Sequence, residues 1–299
     1  MCLCSPVFFT GKENSRMMNG ISFEINAVSG DKKGSQLSKE MIEFTDTLNP
    51  LFYSVNTEIG ITPQIATFDT CMKLKLYTGK KIIPHIAINN KDECELDYII
   101  SSYMNAGIRS FFLIRGDKHI FSAEKSFNYA IDLIRYCREH FREAEIRAAI
   151  YPDFYKETVS PAEELYWIKE KSALGISEFI CQFCMNSDAI CHLKQTAGND
   201  IRIAPSLFPL VNFSFIEKFT KENGIDYPLW IKKIITDPSL RSVTDKGIAL
   251  TRFFTRSALS ESGRLHFFTL NNFDLLKRIF SGGKIKTAHR SVLLIIKGV

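Results

Sequence analysis

No apolar run reaches the roughly 20 residues that a helix needs to cross a bilayer, so no membrane partner is expected. Residues 1–20 lack a charged segment followed by an apolar one, so no secretory signal is expected and the cytoplasm is the expected compartment. The eight cysteines form close pairs at Cys2/Cys4 and Cys181/Cys184, with no second set spaced to complete a zinc site, and no metal is expected. Cys181-Gln182-Phe183-Cys184 has C-x-x-C spacing but lies in a strand-like run, where residues three apart point to opposite faces. The net charge of +5 is spread out, with no basic stripe before the C-terminus, which argues against a nucleic-acid partner and suits weak attraction to small anions. There is no Gly-rich first turn, no internal repeat and no low-complexity linker.

What is present is an alternation. Short apolar runs fall near 20–26, 51–56, 81–88, 109–115, 145–151, 177–183, 201–208 and 264–269. Helix-like segments follow near 36–48, 64–78, 91–106, 122–140, 160–174, 186–197, 212–223 and 271–280, with two more near 227–236 and 239–258. Eight strands, each followed by a helix, predict an α/β fold: a (β/α)8 TIM barrel with extra helices before the last strand. A doubly wound open sheet is the competing fold, and the missing Gly-rich turn disfavours it. Ser160-Pro161-Ala162-Glu163 has the order of a helix start, with Ser as N-cap and Pro at the first position. Asn105-Ala106-Gly107 and Ala173-Leu174-Gly175 have the order of helix ends closed by glycine. The expected organisation is an extension over 1–19, a catalytic barrel over 20–281 and a basic, apolar tail over 282–299.

Polar residues stand at the ends of several of these runs, and in a barrel those ends meet at one face. In the first strand Ser22, Glu24 and Asn26 alternate with Ile21, Phe23 and Ile25. If the apolar set packs on the helices, Glu24 points into the barrel mouth, where loss of water suits a carboxylate to act as a general acid. A salt-bridged structural glutamate fits the spacing equally. Arg115-Gly116-Asp117 ends the fourth strand; its glycine allows close approach of a ligand, and Asp117 can accept hydrogen bonds from a heterocycle. A structural Arg–Asp pair is the alternative. Gln182 interrupts an apolar run, where an unpaired amide would be costly. His85 ends the third strand and Tyr151 the fifth, where an aromatic ring can stack on a ligand or hydrogen-bond to it.

These residues, with Tyr53-Ser54-Val55, Ala106-Gly107-Ile108-Arg109, Ala149-Ile150-Tyr151-Pro152, Phe208-Pro209-Leu210-Val211-Asn212-Phe213, Pro228-Leu229-Trp230 and His266-Phe267-Phe268-Thr269-Leu270-Asn271, follow an order that resembles the methylenetetrahydrofolate reductase family. The resemblance implies a barrel that carries FAD, takes a hydride from NAD(P)H and converts 5,10-methylenetetrahydrofolate to 5-methyltetrahydrofolate. It implies a catalytic role for Glu24 as the acid that helps open the methylene bridge, and for Asp117 between flavin and pterin. It implies substrate contacts for Asp117 and Gln182, and FAD contacts for His85, Arg115, Gly116, Asp117, Tyr151, Glu164 and Lys171. It also implies a homo-oligomer, with a protein partner as a further expectation.

Several positions depart from the family. Ile25-Asn26-Ala27-Val28 replaces aromatic residues and a Pro-Pro pair, and Asn56 to Thr62, with Glu58 and one glycine, replaces a Gly-rich loop. Glu164 replaces an aspartate, Tyr155 a histidine and Asn272 an arginine. A loop with one glycine and an added carboxylate offers less to a phosphate. FAD is therefore expected to bind more weakly than is usual for the family. A folate-binding barrel without flavin, using methylenetetrahydrofolate in another reaction or with a partner, is the alternative expectation. A catalytically silent interaction protein is the third, opposed by three retained polar groups.

Overall fold

The computed structural model describes residues 20–28, 37–57, 64–89, 91–116, 127–198, 200–236 and 243–281. The 1–19 extension, the 282–299 tail, Glu58 and Asp117 lie outside the described residues. Eight parallel strands close into one barrel in sequence order: β1 (Ile21–Ile25), β2 (Phe52–Val55), β3 (Lys81–Ala87), β4 (Ser110–Ile114), β5 (Glu145–Ile150), β6 (Glu178–Phe183), β7 (Ile203–Leu207) and β8 (Leu265–Phe268). The helices are α1 (Lys39–Thr47), α2 (Gln64–Thr78), α3 (Glu93–Asn105), α4 (Ala130–His140), α5 (Pro161–Ala173), α6 (Ser187–Ala197), α7 (Phe213–Asn223), α8 (Leu229–Thr236), α9 (Val243–Ser262) and α10 (Phe273–Phe280). The open-sheet alternative is excluded, because β1 pairs with both β2 and β8.

Alternation along each strand sorts side chains into two cores. Ile21, Phe23, Tyr53, Ile82, Phe111, Ile146 and Phe179 belong to the large cluster shared with the helices. Phe52, Ile83, Phe112 and Ile180 fill the barrel interior with Ile114 and Ala149 against them. These are large and branched residues, the types that pack a barrel lumen in layers.

Helix punctuation follows the sequence closely. Ser160 caps α5 by accepting from the Glu163 amide at 3.2 Å, while Glu163 reaches back to the Val159 amide at 2.9 Å. Gly107 and Gly175 follow α3 and α5 with φ of 76° and 75°, the left-handed conformation that glycine adopts without strain. The two extra helices before β8 are α8 and α9. Gly247 of α9 lies so close to Leu210 that a Cβ there would sit 2.0 Å from the Leu210 carbonyl oxygen. Thr251, one turn later, accepts from the Leu210 amide at 2.9 Å. This contact fixes the loop that leaves β7. α9 ends at Ser262, four residues beyond the expected 258, because Gly263 (φ 67°) is what stops it.

The lower end of the barrel is closed by charge. Glu145 receives Lys81 at 2.6 Å, Ser110 at 2.5 Å and Arg147 at 3.2 Å. Arg147 also meets Glu178 at 3.2 Å, and Arg264 meets the other Glu178 oxygen at 3.3 Å. The Arg147 guanidinium lies over the Phe52 ring at 4.7 Å, tying this layer to the apolar plug above it.

Candidate active site

A cavity of about 710 Å³ opens at the C-terminal ends of the strands. Eight residues singled out from the sequence line it together: Glu24, His85, Arg115, Gly116, Tyr151, Glu164, Lys171 and Gln182. They come from β1, β3, the ends of β4, β5 and β6, and α5, so only barrel closure unites them.

Glu24 lies deep, its side chain 14% exposed. One carboxylate oxygen is 3.6 Å from Nε2 of both His85 and His266. His85 Nε2 is buried and has no hydrogen-bond partner. Burial lowers the His85 pKa to about 4, against the opposing pull of Glu24 and with a further lowering from His266. His85 is therefore a neutral imidazole near pH 7, packed edge-on to Phe112 at 4.7 Å. His266 is fully buried and stacks on Phe52 at 5.7 Å. Its ring nitrogens meet the Ser22 hydroxyl at 2.8 Å and the Ser54 hydroxyl at 3.1 Å. The sequence did not single out His266, Ser22 and Ser54 as a unit. The available clue was that Ser22 and Glu24 share a strand face, and Ser54 pairs in register with Glu24.

Three carboxamides fix the rim above Glu24. Asn271 accepts from the Asn26 amide at 3.0 Å and donates to the Asn26 carbonyl at 2.9 Å. Asn56 donates to the Asn26 side chain at 2.8 Å and accepts from the Ala27 amide at 2.9 Å. Asn26 and Asn56 belong to the two segments that depart from the family pattern, and both line the cavity. Asn272, another departure, caps α10 through the Leu275 amide at 3.1 Å.

Two sequence-derived ideas change in detail. Gly116 has φ 86°, and the space a Cβ would need is filled by the Asn89 carboxamide at 1.6 Å. Close contact with Asn89 is thus one reason for glycine here, beside its place in the cavity wall. In β6 the register slips between Ile180 and Phe183, which pair with Ala204 and Ser206. This irregularity spans Cys181 and Gln182, and such bulges re-aim side chains at barrel rims. Gln182 reaches the cavity and accepts from the Phe183 amide at 3.0 Å. Cys181 and Cys184 are free thiols, both buried, with pKa pushed up by burial. Among the described residues no His/Cys/Asp/Glu group is placed to hold a metal ion.

The outer wall is aromatic and charged. Tyr151 and Tyr155 pack at 4.7 Å. Burial, with Tyr155 beside it, raises the Tyr151 phenol. Arg115 donates to the Tyr155 hydroxyl and pairs with Glu157 at 3.2 Å. Buried Glu164 accepts from Thr158 Oγ1 at 2.7 Å and from the Tyr155 amide at 3.4 Å, which pins this loop to α5. Burial lowers the Lys171 pKa, opposed by Glu164.

Comparison with known proteins agrees with this geometry. The methylenetetrahydrofolate reductase family profile matches residues 12–283. The chain belongs to the methylenetetrahydrofolate reductase family. It is 30% identical over 281 residues to the 5,10-methylenetetrahydrofolate reductase of Buchnera aphidicola subsp. Baizongia pistaciae, covering 88% of this chain and 92% of that one. It is 26% identical over 243 residues to the Escherichia coli K12 enzyme of the same name, covering 78% and 80%. Among solved structures, it superposes on an uncharacterized Clostridium thermocellum protein that binds two copies of 5-methyl-5,6,7,8-tetrahydrofolic acid. That match has a TM-score of 0.56 and 15% identity, covering 90% of this chain and 96% of that one. Oxaloacetate acetylhydrolase shares the barrel at a TM-score of 0.52 and 8% identity, covering 96% and 87%.

Proposed function

We propose that the protein is an oxidoreductase that reduces 5,10-methylenetetrahydrofolate to 5-methyltetrahydrofolate, with FAD as bound cofactor and NAD(P)H as electron source. Family membership supports the reaction class. The observation that carries the reading is Glu24, a carboxylate at the base of a deep cavity between two buried imidazoles. The cavity volume lies within the range for a cofactor or drug-sized ligand. Its wall offers the Arg115 and Lys171 cations for phosphate and the Tyr151 and Tyr155 rings for an aromatic surface, a donor set that fits a flavin dinucleotide. FAD, when bound, would supply hydride transfer.

The chain's own residues do the rest. Glu24 serves as the general acid, passing a proton to the folate nitrogen whose bond to the methylene carbon breaks, which leaves an iminium ready for hydride. Neutral His85 brings no charge to the site, and His266, fixed by two serine hydroxyls, packs beneath the carboxylate. Gln182 offers a donor and an acceptor to the edge of the pterin, and Asp117, on the family pattern, accepts from its ring. Phe112, Ile180 and Phe268 exclude water around Glu24. The folate bound by the Clostridium thermocellum barrel supports this choice of substrate.

Absorbance spectra with and without added FAD, followed by NAD(P)H oxidation with methylenetetrahydrofolate, test the reading. The expected result is a flavin spectrum that strengthens on FAD addition, and folate-dependent turnover. Glu58→Gly should tighten FAD, because it restores a glycine to a segment that is Gly-rich in the family and removes a carboxylate from it. Folate binding without any flavin in either protein would overturn the flavin part.

A further inference from the structure

The cation best placed for an anionic ligand is already taken by the chain itself. Arg115, at the end of β4, presents both terminal nitrogens to Glu157, Nη1 to Oε2 at 3.2 Å and Nη2 to Oε1 at 3.4 Å. This is the two-pronged fork that guanidinium also offers to phosphate. Tyr155 completes the arrangement: its hydroxyl accepts from Arg115 and donates to Glu157 at 3.1 Å. The Arg115 ion sits over the Tyr155 ring at 5.4 Å. The side chains of Arg115 and Glu157 are 16% and 30% exposed, so solvent screens the pair only in part. Arg115, Tyr155 and Glu157 all line the cavity, and the loop that carries Glu157 is held to α5 through Glu164.

We propose that Glu157 is an intrachain competitor for the phosphate groups of the cofactor at Arg115, and so sets how tightly a phosphate-bearing flavin is held. The inference rests on the flavin reading above and adds a residue that tunes it. A diphosphate entering beside Arg115 must displace one or both carboxylate oxygens and then remain near that negative charge. Each requirement weakens binding of a flavin with phosphate and leaves a flavin without phosphate unaffected. The comparison of FAD with riboflavin, which shares the ring system and lacks phosphate, therefore isolates the effect.

The test is a titration of FAD and riboflavin, read by quenching of flavin fluorescence, into wild type, Glu157→Gln and Tyr155→Phe. Circular dichroism melting checks that each variant is folded. Glutamine keeps the shape and one acceptor for Arg115 while removing the charge. The expected result is FAD binding about tenfold tighter in Glu157→Gln, with riboflavin unchanged and with a steeper salt dependence for FAD. Tyr155→Phe, which leaves the charge in place, should show no comparable gain. Weaker FAD binding in Glu157→Gln would show that Glu157 organises Arg115 instead of competing for it, and would overturn the inference. Equal tightening of riboflavin would overturn it too. In both cases FAD binding by the wild type leaves the flavin reading standing. Absence of binding by either flavin in wild type and variants would remove the flavin reading, and the inference with it.

Discussion

The two ends of the barrel treat polar groups in opposite ways. At the lower end, the charges of Lys81, Glu145, Arg147, Glu178 and Arg264 are matched by opposite charges within 3.3 Å. At the mouth, Glu24 is 3.6 Å from two imidazoles, beyond hydrogen-bond reach, and His85 Nε2 has no hydrogen-bond partner. The same strands supply both ends, so the difference is not one of scaffold. The charges of the lower layer compensate one another and do not line the cavity, although Nη1 of buried Arg147 has no hydrogen-bond partner and its guanidinium lies over the Phe52 ring. An unpartnered buried polar atom costs stability at either end, but only His85 and Glu24 line a cavity that a ligand can enter.

Four experiments break or sharpen that contrast. The largest effect is expected for Glu24→Gln, with folate reduction falling on the order of 10²–10⁴-fold, the scale of general acid catalysis. NAD(P)H oxidation with an artificial acceptor should stay largely intact; equal loss in both assays would make Glu24 structural. At the opposite end, Glu178→Gln should leave folate reduction per folded molecule near wild type but lower unfolding free energy by about 2 kcal/mol, because buried Arg147 keeps only Glu145 and Arg264 loses its carboxylate. Urea denaturation measures it, and an unchanged midpoint would contradict the contrast.

Acid separates the two ends by pH window. The His85 folded pKa lies below the ordinary histidine value of 6.5, so the unfolded chain takes up protons first. Its contribution is complete above pH 6.5 and is lost as pH falls towards 4, on the order of 3 kcal/mol. Burial alone would raise the Glu145 carboxyl, but bonds from Lys81 and Ser110, and the Arg147 and Lys81 charges, bring it down to about 2 from 4.5. Its contribution is therefore lost only below about pH 4.5. Stability profiles of wild type and His85→Phe should differ in slope between pH 6.5 and 4 and run parallel below that. The smallest effects pair two hydroxyls. Ser22→Ala and Ser110→Ala should each cost about 1 kcal/mol of stability. Only Ser22→Ala should also slow folate reduction, since its hydroxyl holds His266.

The barrel was legible because each strand is a short apolar run and several helices close on a glycine, as at Gly107 and Gly175. Glu24 was legible because alternation in β1 leaves it on the face away from Phe23. His266 was not, because a single histidine in Leu265-His266-Phe267-Phe268 has the pattern of core, and its partners lie 212 and 244 positions away. The bulge in β6 left no trace either, since no glycine or proline marks it. Gly116 was legible for its backbone freedom, while its contact with Asn89 was not, since residue 89 lies on a different strand's loop. Asp117 lies outside the described residues, so its part in the site stands on the family pattern.

The Asn26–Asn271 bond joins residues 245 positions apart. At roughly 5–20 residues per second, the ribosome needs about 12–50 s between making one and making the other. Through that interval β1 has no β8 beside it and presents an open edge. Glu24 then lacks the imidazole of His266, so a nascent chain that stops short of β8 cannot assemble that pair. The pocket floor is completed only when β8 slots between β7 and β1.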